Sequence, residues 1–249
     1  MKWLVFILAL VTACAPGTGG RRAVFELAVG PAESPRSFRT ALGWDVTLAE
    51  ACVSVGPVHL YAGTRPTARH RVHDWLVPSA HAHPGVDHFD GGEVRGEWLE
   101  QVAVDLMAPR QDLGAREGIA GEIREVTLGV NPPRPGTSGA VGCLRGHQAW
   151  VSGRAVRGDV VVAFEGGLDI PAEGTKRRLQ IPATVAIDQD RRIVVALEPR
   201  HWLEHAKLDE LPVDPTSGRA VIGGESQAAL AWELGLRTAG AFRIDEESR

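Results

Sequence analysis

The sequence predicts an all-β protein: an antiparallel β-sandwich of immunoglobulin/transthyretin-like type, with one or two short helices near the C-terminus. Three observations carry this. Short Val-rich runs alternate apolar and polar residues through most of the chain, as half-buried strands do. Glycine, proline and charged turns separate them, with 29 Gly and 16 Pro in 249 residues. No segment sustains the 3.6-residue period of an amphipathic helix over three turns. An apolar content of 44% is enough for a core.

The chain opens on a targeting segment. Met1-Lys2 is basic and Trp3 to Val11 is almost wholly apolar, which is too short a run to span a bilayer. Leu10-Val11-Thr12-Ala13-Cys14 resembles the bacterial lipobox. That resemblance implies a signal peptide over residues 1–13, cleavage before Cys14, and a lipid on Cys14. Residues 14–22 are then a lipidated cysteine and a flexible tether, rich in Gly and Pro. Residues 23–249 read as a single β-sandwich domain, because neither a repeat nor a shift in composition divides them.

Ala23 to Val29 alternates and is a first strand. Trp44, Val46 and Leu48 share one face of a second strand. Cys52 to Tyr61 continues in strand period, and Pro57 within it predicts an edge or a bulge. Trp98 to Leu106 and Glu122 to Val130 follow, with Gly114 to Gly121 as a connection. Asn131 to Gly136 holds three prolines and is a loop. Gln148–Arg157, Asp159–Leu168, Arg177–Ile181, Val185–Asp188 and Arg192–Leu197 complete the strands. Pro199 to Ala206 is the best helix, Ser226 to Trp232 a second, and Leu234 to Ile244 a closing strand.

The pattern W-x-V-x-L at Trp44–Leu48, the Val-rich strand ending near Tyr61, Val104-Asp105-Leu106, and Gly121 before an alternating strand resemble a group of largely uncharacterised bacterial β-sandwich lipoproteins. The resemblance covers Gly43 to Val130.

Candidate chemistry concentrates in a histidine-rich insert over residues 70–93. Five of the nine histidines lie between His70 and His88. Neutral imidazole is a ligand for Zn, Cu, Fe and Ni. In extended chain His81 and His83 leave the same face and can close on one ion. Pro84-Gly85 turns the chain, so His88 can return to the same point, with Asp87 beside it. His201 and His205 are four apart; on a helix they share a face, and His205 is a further candidate ligand. His70 and His73 are disfavoured by the flanking Arg69 and Arg71. His59 reads as a packed strand residue, and His147 as a residue with no near partner. The insert is also loosely similar to periplasmic metal-handling proteins, including copper-binding ones, although their multi-cysteine pattern is missing.

Net charge is −4 and no basic tract suggests a nucleic-acid partner. With Cys14 acylated, Cys52 and Cys143 predict one disulfide in an oxidising compartment, or else a pair of thiolate ligands. The chain has no GxSxG elbow, P-loop, HExxH motif or CxxC pair. The expected function is therefore non-enzymatic: a lipoprotein of the cell envelope, on the periplasmic face or outer membrane. It would bind Zn or Cu through His81, His83 and His88 or His205, for buffering or delivery to an envelope transporter or receptor. A structural or interaction lipoprotein without metal is the alternative. A metal-dependent hydrolase ranks third, because no residue stands out as the general base.

Overall fold

A computed structural model describes residues 20–32, 36–62, 92–173, 176–188 and 191–248. The fold is an all-β sandwich, organised around one bent two-stranded ribbon. Its first arm joins strand β3 (Asp45–Val55) to strand β4 (Val58–Tyr61) through a cis Gly56–Pro57 peptide. Its second arm joins β5 (Val94–Trp98) to β6 (Val102–Asp105) through Leu99–Gln101. Val55 pairs with Val102 on one side of the bend, and Val58 with Trp98 on the other. The ribbon therefore leaves one sheet and enters the other, so the run predicted as a single strand over Trp98–Leu106 is broken in the middle. Pro57 sits in the bend, where its missing N–H is no loss, while its carbonyl accepts from Gly129 N at 2.9 Å.

The bend has specific chemistry. Gly56 has φ +120°, a left-handed value that disfavours any side chain. A Cβ there would run into the Glu100 carbonyl and stand 2.9 Å from the Trp98 ring. Gln101, buried in the corner, directs its amide nitrogen at Ser54 Oγ (2.6 Å) and at the Asn131 and Pro132 carbonyls (both 2.9 Å). Thr137 Oγ1 donates to Gln101 Oε1 at 3.0 Å, and Asn131 Nδ2 donates to the Gly56 carbonyl at 2.9 Å. The proline-rich loop is thus the polar filling of the corner, which satisfies groups that burial would otherwise orphan.

Eight strands form the first sheet, in the order β12 (Arg178–Ile187), β8 (Gly121–Gly129), β4, β5, β7 (Gln111–Ile119), β1 (Arg22–Pro31), β13 (Arg191–Leu197) and β15 (Phe242–Ser248). It curls until β12 meets β15. Phe25 fills the interior against Gly96 and Gly118, where a Cβ would stand 2.9 and 3.1 Å from its ring. The second sheet orders β14 (Ala220–Ile222), β11 (Val160–Leu168), β10 (Ala149–Arg157), β3, β6 and β9 (Ser138–Gly139), with β2 (Ser37–Arg39) paired to β3. Most pairs are antiparallel; β1–β13, β11–β14 and β6–β9 run parallel. A continuous core joins the sheets, with Trp44, Trp98, Trp202 and Trp232 among its largest members.

Four further expectations are corrected. Gly114–Gly121 is not a connection: Gly114–Ile119 is most of β7, whose half-exposed residues carry no apolar alternation to reveal it, and Gly121 already opens β8. Arg177–Ile181 and Val185–Asp188 are one strand, β12, interrupted by an irregularity between Pro182 and Val185. Pro199–Ala206 is not an α-helix: Pro199–Trp202 is a 3₁₀ turn and Leu203 leaves it at ψ 9°. The α-helix lies at α1 (Gln227–Leu236), where the Ser226 hydroxyl accepts from Ala229 N as an N-cap. The closing strand starts later than expected, at Phe242.

β3 alternates in its first half and is buried on both faces in its second. The outer face there is covered by a 3₁₀ turn, Val141–Leu144, which packs Leu144 on Cys52 and Ala103. A disulfide between Cys52 and Cys143 fastens the turn, closing a sequence separation of 91 residues. By chain entropy such a closure stabilises by about 4–5 kcal/mol, and in practice by less. Non-reducing peptide mapping of exported protein should recover the linked pair, whereas two freely alkylated thiols would contradict it. Gln101→Ala should lower the unfolding free energy by about 1–3 kcal/mol in urea melts, because it leaves buried partners unpaired.

Candidate functional site

His81, His83 and His88 lie outside the described residues, as do Cys14 and its tether up to residue 19. The frame that presents the insert is described. β4 ends at Tyr61 and β5 begins at Val94, and Ala62 N donates to the Glu93 carbonyl at 3.0 Å. The segment 63–91 therefore leaves and returns through one clamped point at the tip of the bent ribbon. Register fixes which end of the sheet this is. Gly96 pairs with Gly118, and Arg22 with the adjacent Ile119. The insert base and the start of β1 thus share one end.

His205 is at the other end. Pro31 pairs with Leu197 at the far end of β1, and Pro199–Trp202 follows directly. At about 3.3 Å per residue, the length of β1 puts roughly 30 Å between these ends. The 3₁₀ turn also removes the four-residue stacking that would have paired His201 with His205. His201 Nδ1 instead meets Glu204 Oε2 at 3.1 Å, and the exposed His205 offers its carbonyl to Gln227 Nε2 at 2.9 Å. Among the described residues, one group of three metal-ligating side chains converges, Cys52, Asp105 and Cys143. Its sulfurs are spent in the disulfide.

A different histidine is the better placed one. After the Val141–Leu144 turn, Arg145 takes φ 51° and Gly146 φ 90°, which reverses the chain and delivers His147 to the head of β10. The buried Gln148 then bonds reciprocally to Ile170: its Nε2 donates to Ile170 O at 3.1 Å, and Ile170 N donates to its Oε1 at 2.8 Å. This fastens the end of β11 to the start of β10 and aims Asp169. Asp169 Oδ1 accepts from Gln148 N at 3.2 Å, and Oδ2 meets His147 Nδ1 at 2.7 Å. A carboxylate only accepts, so His147 donates through Nδ1, and Nε2 has no hydrogen-bond partner among the described residues. The ring lies where a side chain at Gly167 would be.

Behind this pair stands a charged support. The His147 ring stacks on Trp150, 5.8 Å between centroids and tilted 24°. The Arg145 guanidinium sits 4.5 Å from the Trp150 centroid. Glu50 accepts from Trp150 Nε1 (3.2 Å), Ser152 Oγ (2.9 Å) and Arg145 (2.9 Å). Burial alone would raise the Glu50 pKa. The hydrogen bonds from Ser152, Trp150 and Arg145, with the Arg145 charge, outweigh it and hold the carboxyl below its ordinary value of 4.5. The pair opens onto a groove of about 520 Å³ between the β11/β14 edge and α1.

His147 had seemed partnerless because its partners come from distant segments. Asp169 is 22 residues away and Glu50, at the far side of Trp150, is 100 residues from that tryptophan. Comparison with protein-family models, curated proteins and solved structures finds no match. Among the described residues no helix is long and apolar enough to cross a membrane.

A depressed carboxyl pKa means that the unfolded chain takes up the proton first as pH falls. The Glu50 network therefore contributes stability above pH 4.5 that is lost on acidification below it. Glu50→Gln should lower stability at neutral pH and flatten its acid dependence between about pH 5 and 3, as read from urea midpoints across that range.

Proposed function

We propose that the chain is a lipid-anchored envelope protein that binds Zn²⁺ or Cu²⁺ through its histidine-rich insert, for buffering or for delivery to an envelope transporter or receptor. His81 and His83 supply the central pair and His88 the third nitrogen. The observation that carries this reading is the clamped base of the insert at Ala62–Glu93, beside the start of β1. A closed loop holds its histidines at high local concentration, which favours chelation. A tether from Cys14 would enter at the same end and hold the insert near the membrane. His205, exposed at the opposite end, is the weaker fourth candidate, because the insert would have to travel the length of the sheet to reach it. The interaction-module alternative draws support from Leu230 and Leu234, which stand exposed on one face of α1.

Calorimetric titration of the full-length protein in detergent micelles tests the reading. Zn²⁺ and Cu²⁺ should bind the wild type, with Cu²⁺ tighter. The His81→Ala, His83→Ala double variant should lose that binding, and His205→Ala should keep it. Affinity should fall as pH drops through about 6.5, since the ligands must be neutral imidazoles. Equal affinity in wild type and double variant would contradict the site and leave the interaction module in front.

A further inference from the structure

We infer that the groove beside His147 is a second binding site, independent of the metal reading, and that it takes a small organic cation carrying a primary ammonium on an alkyl chain. Its volume, about 520 Å³, falls in the range of small-molecule sites. Leu168, Ile222, Ala229 and Leu230 supply an apolar floor, and glycines at 166–167 and 223–224 keep it open. A side chain at Gly166 would strike Ile222, and one at Gly167 would displace the His147 ring.

The charged residues around that floor are of one sign. Glu165, Asp169, Glu225 and Glu233 line the groove, and no lysine or arginine does. Their neutralisation from outside is incomplete. Arg219 meets Glu165 at 2.8 Å, but Arg237 reaches Glu233 only at 3.9 Å, and Glu225 has no ion pair among the described residues. A cation entering the groove therefore gains attraction that an anion or a neutral molecule does not. His147 adds direction. It lines the groove, and with Nδ1 held by Asp169 its Nε2 carries a lone pair in the neutral ring, an acceptor for an ammonium N–H. A fixed acceptor, an excess of carboxylates of which Glu225 has no ion pair among the described residues, and an apolar lining together describe the complement of an alkylammonium ion.

The test uses the full-length protein in micelles and three probes of similar length: 1,4-diaminobutane, 1,4-butanediol and succinate. The diamine should bind, more weakly as salt rises, and shift the backbone amide signals of Gly167, Gly223 and Gly224. The diol and succinate should leave those signals in place. A Glu225→Gln, Glu233→Gln double variant, which leaves His147–Asp169 intact, should weaken diamine binding by about tenfold or more. His147→Ala should weaken it as well, while His205→Ala should not. Diol or succinate binding as well as the diamine, diamine shifts scattered away from the groove, or unchanged affinity in the double variant would each overturn the proposal. The wild-type signal map needs no variant, so the outcome does not depend on whether a substituted chain folds.

Discussion

The bend at Gly56–Pro57 and Leu99–Gln101 is the constraint on which the other placements depend. It makes one ribbon serve two sheets, so the layers are joined covalently as well as by packing. Gly56 permits it because its left-handed φ and its contact with the Glu100 carbonyl leave no space for a side chain. Gln101 and Asn131 permit it because a turned backbone inside a protein must still find hydrogen-bond partners. Once the corner is set, the far end of each arm is fixed. In the second sheet the ribbon ends where Cys52 pairs with Asp105. In the first it ends at Tyr61 and Val94, where the histidine-rich segment leaves the fold.

Much of the sandwich was legible because sheets half covered by a core repeat every two residues. The start of β1 and the first half of β3 stand out in this way, and Ser226 before an apolar run marks the start of α1. What escaped has identifiable causes. β7 pairs along β1 with little apolar alternation, so only its neighbours define it. The bend was hidden because a valine-rich strand continues in period on both sides of Pro57. The 199–206 turn has helical composition, but Pro199 opens a 3₁₀ turn that Leu203 ends. The disulfide was one of two readings of Cys52 and Cys143 once Cys14 was set aside, and the fold brings the two sulfurs together.

The groove was the least legible part. His147, Asp169 and Glu50 have no recognisable spacing, and Trp150 reads as an ordinary core aromatic. They meet because Arg145 and Gly146 reverse the chain and Gln148 fastens two strand ends together. Bare strand backbone at Gly166 and Gly167 provides the room. The histidine-dense insert was conspicuous in sequence, and the fold adds what spacing withheld: the end of the sheet at which it is hung, and the separation of that end from His205.

The central claim, that the bent ribbon sets the insert at the end of the first sheet where β1 begins, is tested most directly by pulsed electron paramagnetic resonance on Cu²⁺-loaded protein. A nitroxide amino acid is placed in turn at Arg21 and at Lys207, both on the surface and at opposite ends. The account predicts a shorter copper–nitroxide distance from position 21 than from position 207. A shorter distance from position 207 would contradict it.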